Sequence, residues 1–225
     1  MGSTDIDVHF DGTSLNNVKC EKLLGVSVDN HLTWKPHIDS LASSLSKCIG
    51  LFRRIRTYLP ISARILYYKT FFQPRIDYCS IVWGSSCHIT RIYKLQKIIL
   101  RLIYDKPKLS PSAPLFEQAS ILPIEYRVMF RSLIMVYKAL NGLLPSYITN
   151  MFKYIANVTK RSTRSSSNGN LWVPNYKLTI TRSSFSYNGA VIYNTLPQDI
   201  KLSESLRAFK KNLFKYLIDM YIIST

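Results

Sequence analysis

Apolar and polar residues alternate along the first part of the chain. Every second position from 6 to 10 is apolar, and the turn-forming dipeptide Asp11-Gly12 follows. A second apolar run lies at residues 23–28. This pattern predicts a β-hairpin or a three-stranded sheet edge within residues 1–35. Because a two-stranded ribbon is marginally stable in water, we expect a helix or a partner to cover it.

From residue 36 onward the apolar positions change to the spacing of helices. Pro36 suits the first turn of a helix, and one apolar face follows it: Ile38, Leu41, Leu45, Ile49, Phe52 and Ile55. The same periodicity predicts further helices at residues 62–72, 89–104, 124–141 and 203–221. Gly142 is placed to end the third of these, and Ser203 is placed to cap the fourth.

Two segments near the C-terminus depart from the helical pattern. Residues 157–170 are rich in Ser, Lys, Arg and Asn, which predicts an exposed flexible loop. Residues 171–181 partly alternate in polarity and predict a strand, with Pro174 indicating a sheet edge. We therefore expect a mainly α fold with a small β component. Its predicted parts are an N-terminal β-hairpin (1–35), a helical bundle (36–155), a basic loop (156–170) and a small α/β C-terminal subdomain (171–225).

The polar face of the helix after Pro36 is small and basic. At helical spacing it carries Ser40, Ser43, Ser44, Lys47, Gly50 and Arg54. Small side chains let a helix backbone approach a ligand closely, and the cations suit phosphate groups. The alternative is an ordinary solvated face of low bulk. A second basic face, on the helix predicted at 89–104, carries Arg91, Lys94, Lys97 and Arg101.

Positive charge is concentrated in long blocks. The formal net charge is +17, and residues 126–198 contain nine Lys and Arg but no Asp or Glu. Residues 47–108 contain thirteen basic residues against Asp77 and Asp105 alone. Since 47% of the residues are hydrophobic, this pattern indicates a folded protein that binds a polyanion. Aromatic residues interleave with the cations, and we expect four of them to be core residues: Trp34, Phe71, Phe72 and Trp83.

The sequence offers little catalytic chemistry. Asp5 and Asp7 are a close pair of carboxylates, but a solvated strand face explains them better than a two-metal site. Cys79, Cys87 and His88 lack the spacing of an established metal site. We find no nucleophile motif and no phosphate-binding glycine loop. We therefore expect no cofactor, no small-molecule substrate, no membrane span, and a nuclear or cytoplasmic rather than a secreted protein.

Several blocks of the sequence resemble one family of polymerases. They are residues 23–29 (LLGVSVD), 32–34 (LTW), 37–38 (HI), 56–60 (RTYLP), 74–84 (PRIDYCSIVWG), 95–97 (LQK) and 193–197 (YNTLP). In this order they are similar to the reverse transcriptases of non-LTR (LINE-type, Jockey/CR1-like) retrotransposons. The similar part begins at the end of the palm, continues through the thumb and includes the C-terminal region. Tyr193 stands where Trp is usual in the family.

The resemblance implies nucleic-acid binding by two elements. Leu24 and Gly25 would belong to the primer-grip hairpin, which positions the primer end. The helix after Pro36 would be the thumb helix, which lies along the minor groove of the template–primer duplex. The implied contact residues on it are Ser40, Ser43, Ser44, Lys47, Arg53 and Arg54, and further backbone contacts would come from Arg91, Lys94, Lys97 and Arg101. The expected ligand is an RNA–DNA hybrid or a structured RNA.

In this family the catalytic palm, whose carboxylates bind Mg²⁺, precedes the similar segment. We therefore expect no polymerisation from this chain alone, and a palm-containing polypeptide is a second expected partner. Two other interpretations stay open. One is a host-adapted protein-interaction scaffold, with the uncovered hairpin as the partner site. The other is a retrotransposon remnant without a selected function, for which the unpaired strand edge is the argument.

Overall fold

The computed structural model describes residues 8–15, 18–158 and 169–224 of the chain. Within these ranges helices predominate, and the strands form two short antiparallel pairs. The prediction of a mainly α fold with a small β component is confirmed. The carboxylate pair Asp5 and Asp7 lies outside the described residues.

The β component consists of two hairpins. Its strands are β1 (Val8–Phe10), β2 (Thr13–Leu15), β3 (Cys20–Leu23) and β4 (Val26–Asp29). Strand β1 pairs with β2, and β3 pairs with β4. The predicted turn Asp11-Gly12 connects the first pair, and both of its residues have positive φ. Two-residue turns of this kind match the right-handed twist of the strands that they connect.

Helices follow one another along most of the remaining chain. The first six are α1 (Lys35–Ile55), α2 (Ile61–Tyr67), α3 (Gln73–Asp77), α4 (Ser80–Trp83), α5 (Thr90–Ile103) and α6 (Ala113–Gln118). The others are α7 (Ile124–Leu140), α8 (Ser146–Thr149), α9 (Ile155–Val158), α10 (Thr179–Arg182), α11 (Phe185–Asn194), α12 (Gln198–Lys201) and α13 (Leu206–Ile223). The long helices predicted from apolar spacing are confirmed to within a few residues, and Gly142 follows α7 at a φ of 66°.

The predicted helix at 62–72 is present but changes its pitch before Pro74. One π-helical turn, Tyr68–Phe72, connects α2 to α3. Proline lacks an N–H, and its ring crowds the preceding helical turn. A π turn, with its wider spacing, is the kind of local adjustment that lets such a residue stay within a continuous helical segment.

The same segment decides which aromatic side chains are buried. Three residues spaced four apart, Tyr68, Phe72 and Ile76, are buried in the core. Phe71 is 53% exposed, so the prediction that it is a core residue is wrong. The prediction is correct for Phe72 and Trp83, which are fully buried.

A first hydrophobic core lies between α1, α5 and the segment that contains α2 and α3. Its buried residues include Ile38, Leu45, Phe52, Tyr68, Phe72, Trp83, Ile92 and Ile99. A second core forms around α7, α11 and α13, with Leu133, Val136, Ala190, Tyr193, Phe209 and Leu213 among its buried residues. The predicted domain boundaries at residues 35, 155 and 170 stay predictions.

Gln96 joins Tyr68 of the first core to the start of α7. Its side-chain amide donates to the Tyr68 hydroxyl at 2.7 Å and accepts from the backbone N–H of Ile124, also at 2.7 Å. Since Ile124 begins α7, the amide oxygen satisfies one of the N–H groups that a helix start leaves unpaired. Gln96 is only 1% exposed, so losing these hydrogen bonds would leave buried polar groups unsatisfied.

The C-terminal part differs from the prediction in two places. Residues 171–181 do not form a strand: one isolated bridge joins Tyr154 to Leu171, and the segment ends in α10. Pro174 has no N–H to donate to a ladder, which disfavours a continuous strand. The last helix is capped by Ser205 rather than Ser203, since Ser205 Oγ accepts from the N–H of Ala208 at 3.2 Å. The predicted loop at 157–170 lies mostly outside the described residues.

Candidate nucleic-acid interface

The β3–β4 turn consists of Leu24 and Gly25, the two residues that the family resemblance would place in a primer-grip hairpin. Both have positive φ, 47° and 83°, as a type I′ turn requires. The Tyr78 hydroxyl donates to the Leu24 carbonyl, and a Cβ at Gly25 would lie 3.5 Å from Tyr78 Cε1. The turn is thus held against the end of α3, while the Leu24 side chain is 81% exposed.

Asp29 connects this hairpin to the start of α1. Its carboxylate accepts hydrogen bonds from the Thr33 N–H at 3.0 Å, the Thr33 hydroxyl at 2.9 Å and the Trp34 N–H at 2.8 Å. Burial raises the pKa of this carboxyl, but the hydrogen bonds from Thr33 and Trp34 together lower it by more. The pKa of Asp29 therefore lies below its usual value. Sequence reasoning missed this role, although Asp29 and Thr33-Trp34 belong to adjacent blocks of the family resemblance.

A groove of about 640 Å³ lies between the β3–β4 turn, α1 and the segment that contains α3. We call it the α1 groove. Its lining includes Gly25, Ser40 and Ser44 from the predicted site. The structure therefore brings the hairpin turn and part of the small face of α1 to one surface, and nucleic-acid binding by this surface stays a prediction. Leu24 and Ser43 are exposed but do not line the groove.

The cations of α1 lie on its solvent-facing side. Lys47, Arg53 and Arg54 are exposed, and none of them forms an ion pair with any residue that the structure describes. Lys47 follows Ser43 and Ser44 by one helical turn, and Arg54 follows Lys47 by two. The charges of Lys47 and Arg54 therefore lie along the same face as the serines, Arg53 lies on a neighbouring face, and none of the three lines the α1 groove.

Nine of the residues that line the α1 groove were not predicted as site residues, and among them are two cations and two exposed aromatic residues. Lys22 comes from β3, and Phe71, Arg75 and Tyr78 come from the π turn and from α3 and its end. Phe71 and Tyr78 are about half exposed, so their rings are accessible at the rim. The block at 74–84 was noted for its family resemblance, but periodicity gave no sign that its first residues face α1. Only the π turn and the packing of the hairpin place them there.

His37 lies in the lining of the α1 groove and is itself buried. Its ring lies 5.5 Å from that of Trp83. Burial lowers the pKa of the imidazole below its ordinary value of about 6.5, so His37 is neutral at pH 7. Lys22 and Arg75 are therefore the charged side chains of this lining.

The cations of α5 make contacts within the protein. Arg91 forms an ion pair with Asp39 of α1, and the Lys97 ammonium lies 4.4 Å from the centre of the Tyr93 ring. Arg101 Nε donates to the Ser110 carbonyl at 2.9 Å. Lys94 is exposed. The structure therefore places the α5 set apart from the groove lining, and its assignment to nucleic acid stays a prediction.

The described residues were also searched for a metal site and for a membrane-spanning helix. Among residues 8–15, 18–158 and 169–224, no group of three His, Cys, Asp or Glu side chains is placed to hold a metal ion. In the same ranges no helix combines the length and the apolar character that crossing a bilayer requires.

Part of the chain is similar in sequence to a transposon protein. Over 101 residues, 28% of the positions are identical to a Drosophila melanogaster protein described as "Probable RNA-directed DNA polymerase from transposon X-element". The aligned part is 43% of this chain and 11% of the relative, so the chain spans about a tenth of that protein's length. No family model matches. No solved structure matches either. The similarity supports a region related to a retrotransposon reverse transcriptase.

Proposed function

We propose that this chain is the nucleic-acid-binding thumb and C-terminal part of a LINE-type reverse transcriptase. Its ligand is an RNA–DNA hybrid or a structured RNA, bound without sequence preference. The observation that carries the proposal is the α1 groove, where Gly25 of the hairpin turn meets Ser40 and Ser44 of α1. The similarity to the transposon polymerase and the order of the sequence blocks support the same assignment.

The chemistry of the α1 face suits the minor groove of an A-form duplex. That groove is wide and shallow and displays 2′-hydroxyl groups. Exposed Ser40 and Ser43, with half-buried Ser44, let the backbone of α1 approach it closely and offer hydroxyls for hydrogen bonds. Lys47 and Arg54, farther along the face, are placed to contact phosphates, which supply most of the affinity in binding without sequence preference.

Aromatic side chains at the rim of the α1 groove offer surfaces on which bases could stack. Phe71 and Tyr78 present about half of their side-chain surface to solvent beside Arg75. Aromatic rings stack on bases or sugars while neighbouring cations hold the phosphates. The end of a duplex, where a base pair or an unpaired nucleotide is exposed, would find both kinds of contact here.

Catalysis in this proposal belongs to a palm-containing polypeptide. Phosphoryl transfer by a polymerase needs carboxylates that hold two divalent ions, and the palm supplies these groups in the family that the sequence resembles. The hairpin tip is the surface that such a partner would cover, since Leu23 and Leu24 are 65% and 81% exposed. A nuclear or cytoplasmic location is proposed with this function.

The test is binding of a fluorescent RNA–DNA hybrid to the wild type and to Lys47→Glu/Arg54→Glu. Two reversed charges on the contact face should abolish most of the binding. The matched control, Lys211→Glu/Lys215→Glu, makes the same charge change on exposed positions of α13 and should keep most of it. Equal losses in both variants would show that binding depends on overall charge and not on the α1 face.

A second function, a protein-interaction scaffold, is favoured by the same exposed tip. Leu23 and Leu24 form an apolar surface that water does not stabilise. If hybrid binding is absent, Leu24→Asp should still weaken association with a protein partner, measured by the oligomeric state and by pull-down with a palm polypeptide.

A further inference from the structure

A second basic groove is lined by residues of α7, by Lys210 of α13 and by Ile81 of α4. Its volume is about 370 Å³. Four cationic residues line it: Arg127, Arg131, Lys138 and Lys210. Apolar side chains complete the lining, among them Phe130, Ile134 and Leu144. We call it the α7–α13 groove.

The positive charge in this groove exceeds what the neighbouring acid neutralises. Asp77 accepts two hydrogen bonds from Arg127, at 2.8 and 2.7 Å, and lies 3.6 Å from Arg131 Nη1. One carboxylate therefore faces two guanidinium groups. Lys138 and Lys210 form no ion pair with the residues that the structure describes.

Arg131 carries an additional, unsatisfied hydrogen-bond donor. Its Nε is buried and has no hydrogen-bond partner among the described residues. A buried donor without an acceptor is unfavourable, and more so when the group is charged. An anion in the groove would balance the positive charge that the single carboxylate of Asp77 does not neutralise on Arg127 and Arg131.

We propose that the α7–α13 groove binds a single-stranded stretch of nucleic acid. Lys138, Lys210 and Arg131 hold the phosphodiester backbone, and the apolar wall around Phe130 contacts bases or sugars. A paired duplex keeps its base faces stacked inside, so a cationic groove with an apolar wall matches an unpaired strand better. This site goes beyond the proposed function, which concerns a duplex on α1.

The location of the groove fits a strand that leaves a duplex. Arg75 and Tyr78 line the α1 groove, whereas Ile81, three residues after Tyr78, lines the α7–α13 groove. Both grooves thus border the same short segment. A hybrid bound on α1 reaches the second groove with a single-stranded extension.

The experiment compares a short blunt RNA–DNA hybrid with the same hybrid carrying an oligouridine extension of about 16 nucleotides, a typical upper site size. The test variant is Lys138→Gln/Lys210→Gln. The matched control is Lys211→Gln/Lys215→Gln, which removes two exposed cations of α13 outside the groove. Lys138 is half-buried and the other three lysines are exposed, so thermal unfolding would verify that each variant is folded.

For the wild type we expect the extension to raise affinity about tenfold and to steepen the salt dependence. The test variant should lose that gain, with a log–log salt slope smaller by about 1.4 for two lost contacts to a single strand. Its affinity for the blunt hybrid should stay unchanged. An extension that adds no affinity to the wild type, or a gain that survives in the test variant, overturns the proposal.

Two further arms separate this proposal from the function proposed for α1. Free oligouridine should bind through Lys138 and Lys210 even if the blunt hybrid does not bind at all, in which case only the α1 assignment fails. Hybrid binding without any oligouridine binding overturns the second site alone. A photoreactive 4-thiouridine in the extension should cross-link to peptides of α7 or α13, and cross-links confined to other helices contradict the proposal.

Discussion

Helices α1 and α5 carry similar sets of cations at helical spacing, but the two sets differ in their contacts with the rest of the protein. On α1, Lys47, Arg53 and Arg54 are exposed and form no ion pair with the described residues. On α5, Arg91 is paired with Asp39 and Lys97 lies over an aromatic ring. We therefore expect the α1 cations, with which no described acid pairs, to contribute more to phosphate binding than the α5 cations.

The neighbours of each helix explain the difference. Helix α5 packs beside Asp39 of α1 and beside the backbone around Ser110, which accepts from Arg101. The outer face of α1 instead borders a groove whose other walls are a hairpin turn and an exposed aromatic rim. We therefore expect that removing the same charge from each helix weakens binding of an RNA–DNA hybrid to different extents.

The largest expected effect is on binding of an RNA–DNA hybrid. Lys47→Ala/Arg54→Ala should weaken it about 100-fold, because two charge-assisted hydrogen bonds contribute about 1.5 kcal/mol each. Arg91→Ala/Lys97→Ala removes the same charge and should weaken binding less than about threefold, since only long-range attraction is lost. Fluorescence anisotropy at fixed salt measures both.

Equal losses in the two double variants would contradict the comparison. The salt slope provides an independent check, because each lost phosphate contact on a duplex reduces it by about 0.9. The slope should fall by about 1.8 for the α1 pair and remain near the wild-type value for the α5 pair.

The second effect concerns stability and compares Asp29 with Asp39. Asp29→Asn should lower the free energy of unfolding by about 2 kcal/mol, because hydrogen bonds to a charged acceptor at the start of α1 are weakened. Asp39→Asn should change it by less than about 1 kcal/mol, since its ion pair with Arg91 is exposed. Urea unfolding at pH 7 measures both variants.

The Asp29 contribution should depend on pH in a defined direction. The pKa of its carboxyl is lowered in the folded protein, so its stabilisation is complete above the unfolded pKa of about 3.9. The stabilisation is lost as the pH falls through the lowered folded value. The difference between the wild type and Asp29→Asn should therefore shrink below pH 4, and a difference that grows on acidification would contradict this role.

A smaller effect is expected at the turn that forms one wall of the α1 groove. Gly25→Ala should cost about 1 kcal/mol, because Gly25 has a φ of 83° and a Cβ there is strained. The added Cβ meets Tyr78 only at ordinary contact distance, so no steric clash adds to the cost. Leu24→Asn is the matched control: Asn tolerates a positive φ, so stability should be kept or slightly raised. Thermal unfolding distinguishes the two variants.

The smallest expected effect is a gain of binding. Asp39→Asn removes a negative charge beside Ser40 and leaves Arg91 without its partner. Hybrid affinity should rise about two- to threefold, and the gain should disappear in the double variant Asp39→Asn/Arg91→Ala. A loss of affinity in Asp39→Asn would mean that the ion pair itself organises the contact surface.

Apolar spacing predicted the long helices because each buries one continuous stripe. Helix α1 buries Ile38, Leu45 and Phe52, and α13 buries Phe209 and Leu213, at the intervals that a helix requires. Spacing also predicted which side of α1 stays exposed. It did not predict what the α5 cations contact, because Asp39 and Ser110 reach α5 only through tertiary packing.

Two predictions were wrong, the burial of Phe71 and the strand at 171–181, because the local backbone does not follow the regular spacing of a helix or a strand there. Phe71 was expected in the core, but a π turn before Pro74 sets which residues of that segment are buried. The strand expected at 171–181 matched an alternating pattern, but a strand needs a neighbour, and this segment has one bridge at Leu171. Neither the π turn nor the missing neighbour is encoded in residue polarity.

The most direct test of the central claim is a salt series of wild-type binding. The ligands are an RNA–DNA hybrid, duplex DNA, single-stranded RNA and anionic lipid vesicles, measured by fluorescence anisotropy or by co-sedimentation. A functional α1 face predicts tight binding to the hybrid that exceeds binding to duplex DNA and to vesicles and that weakens steeply with salt. Absence of hybrid binding at about 0.15 M salt, or equal binding to vesicles, would contradict the account.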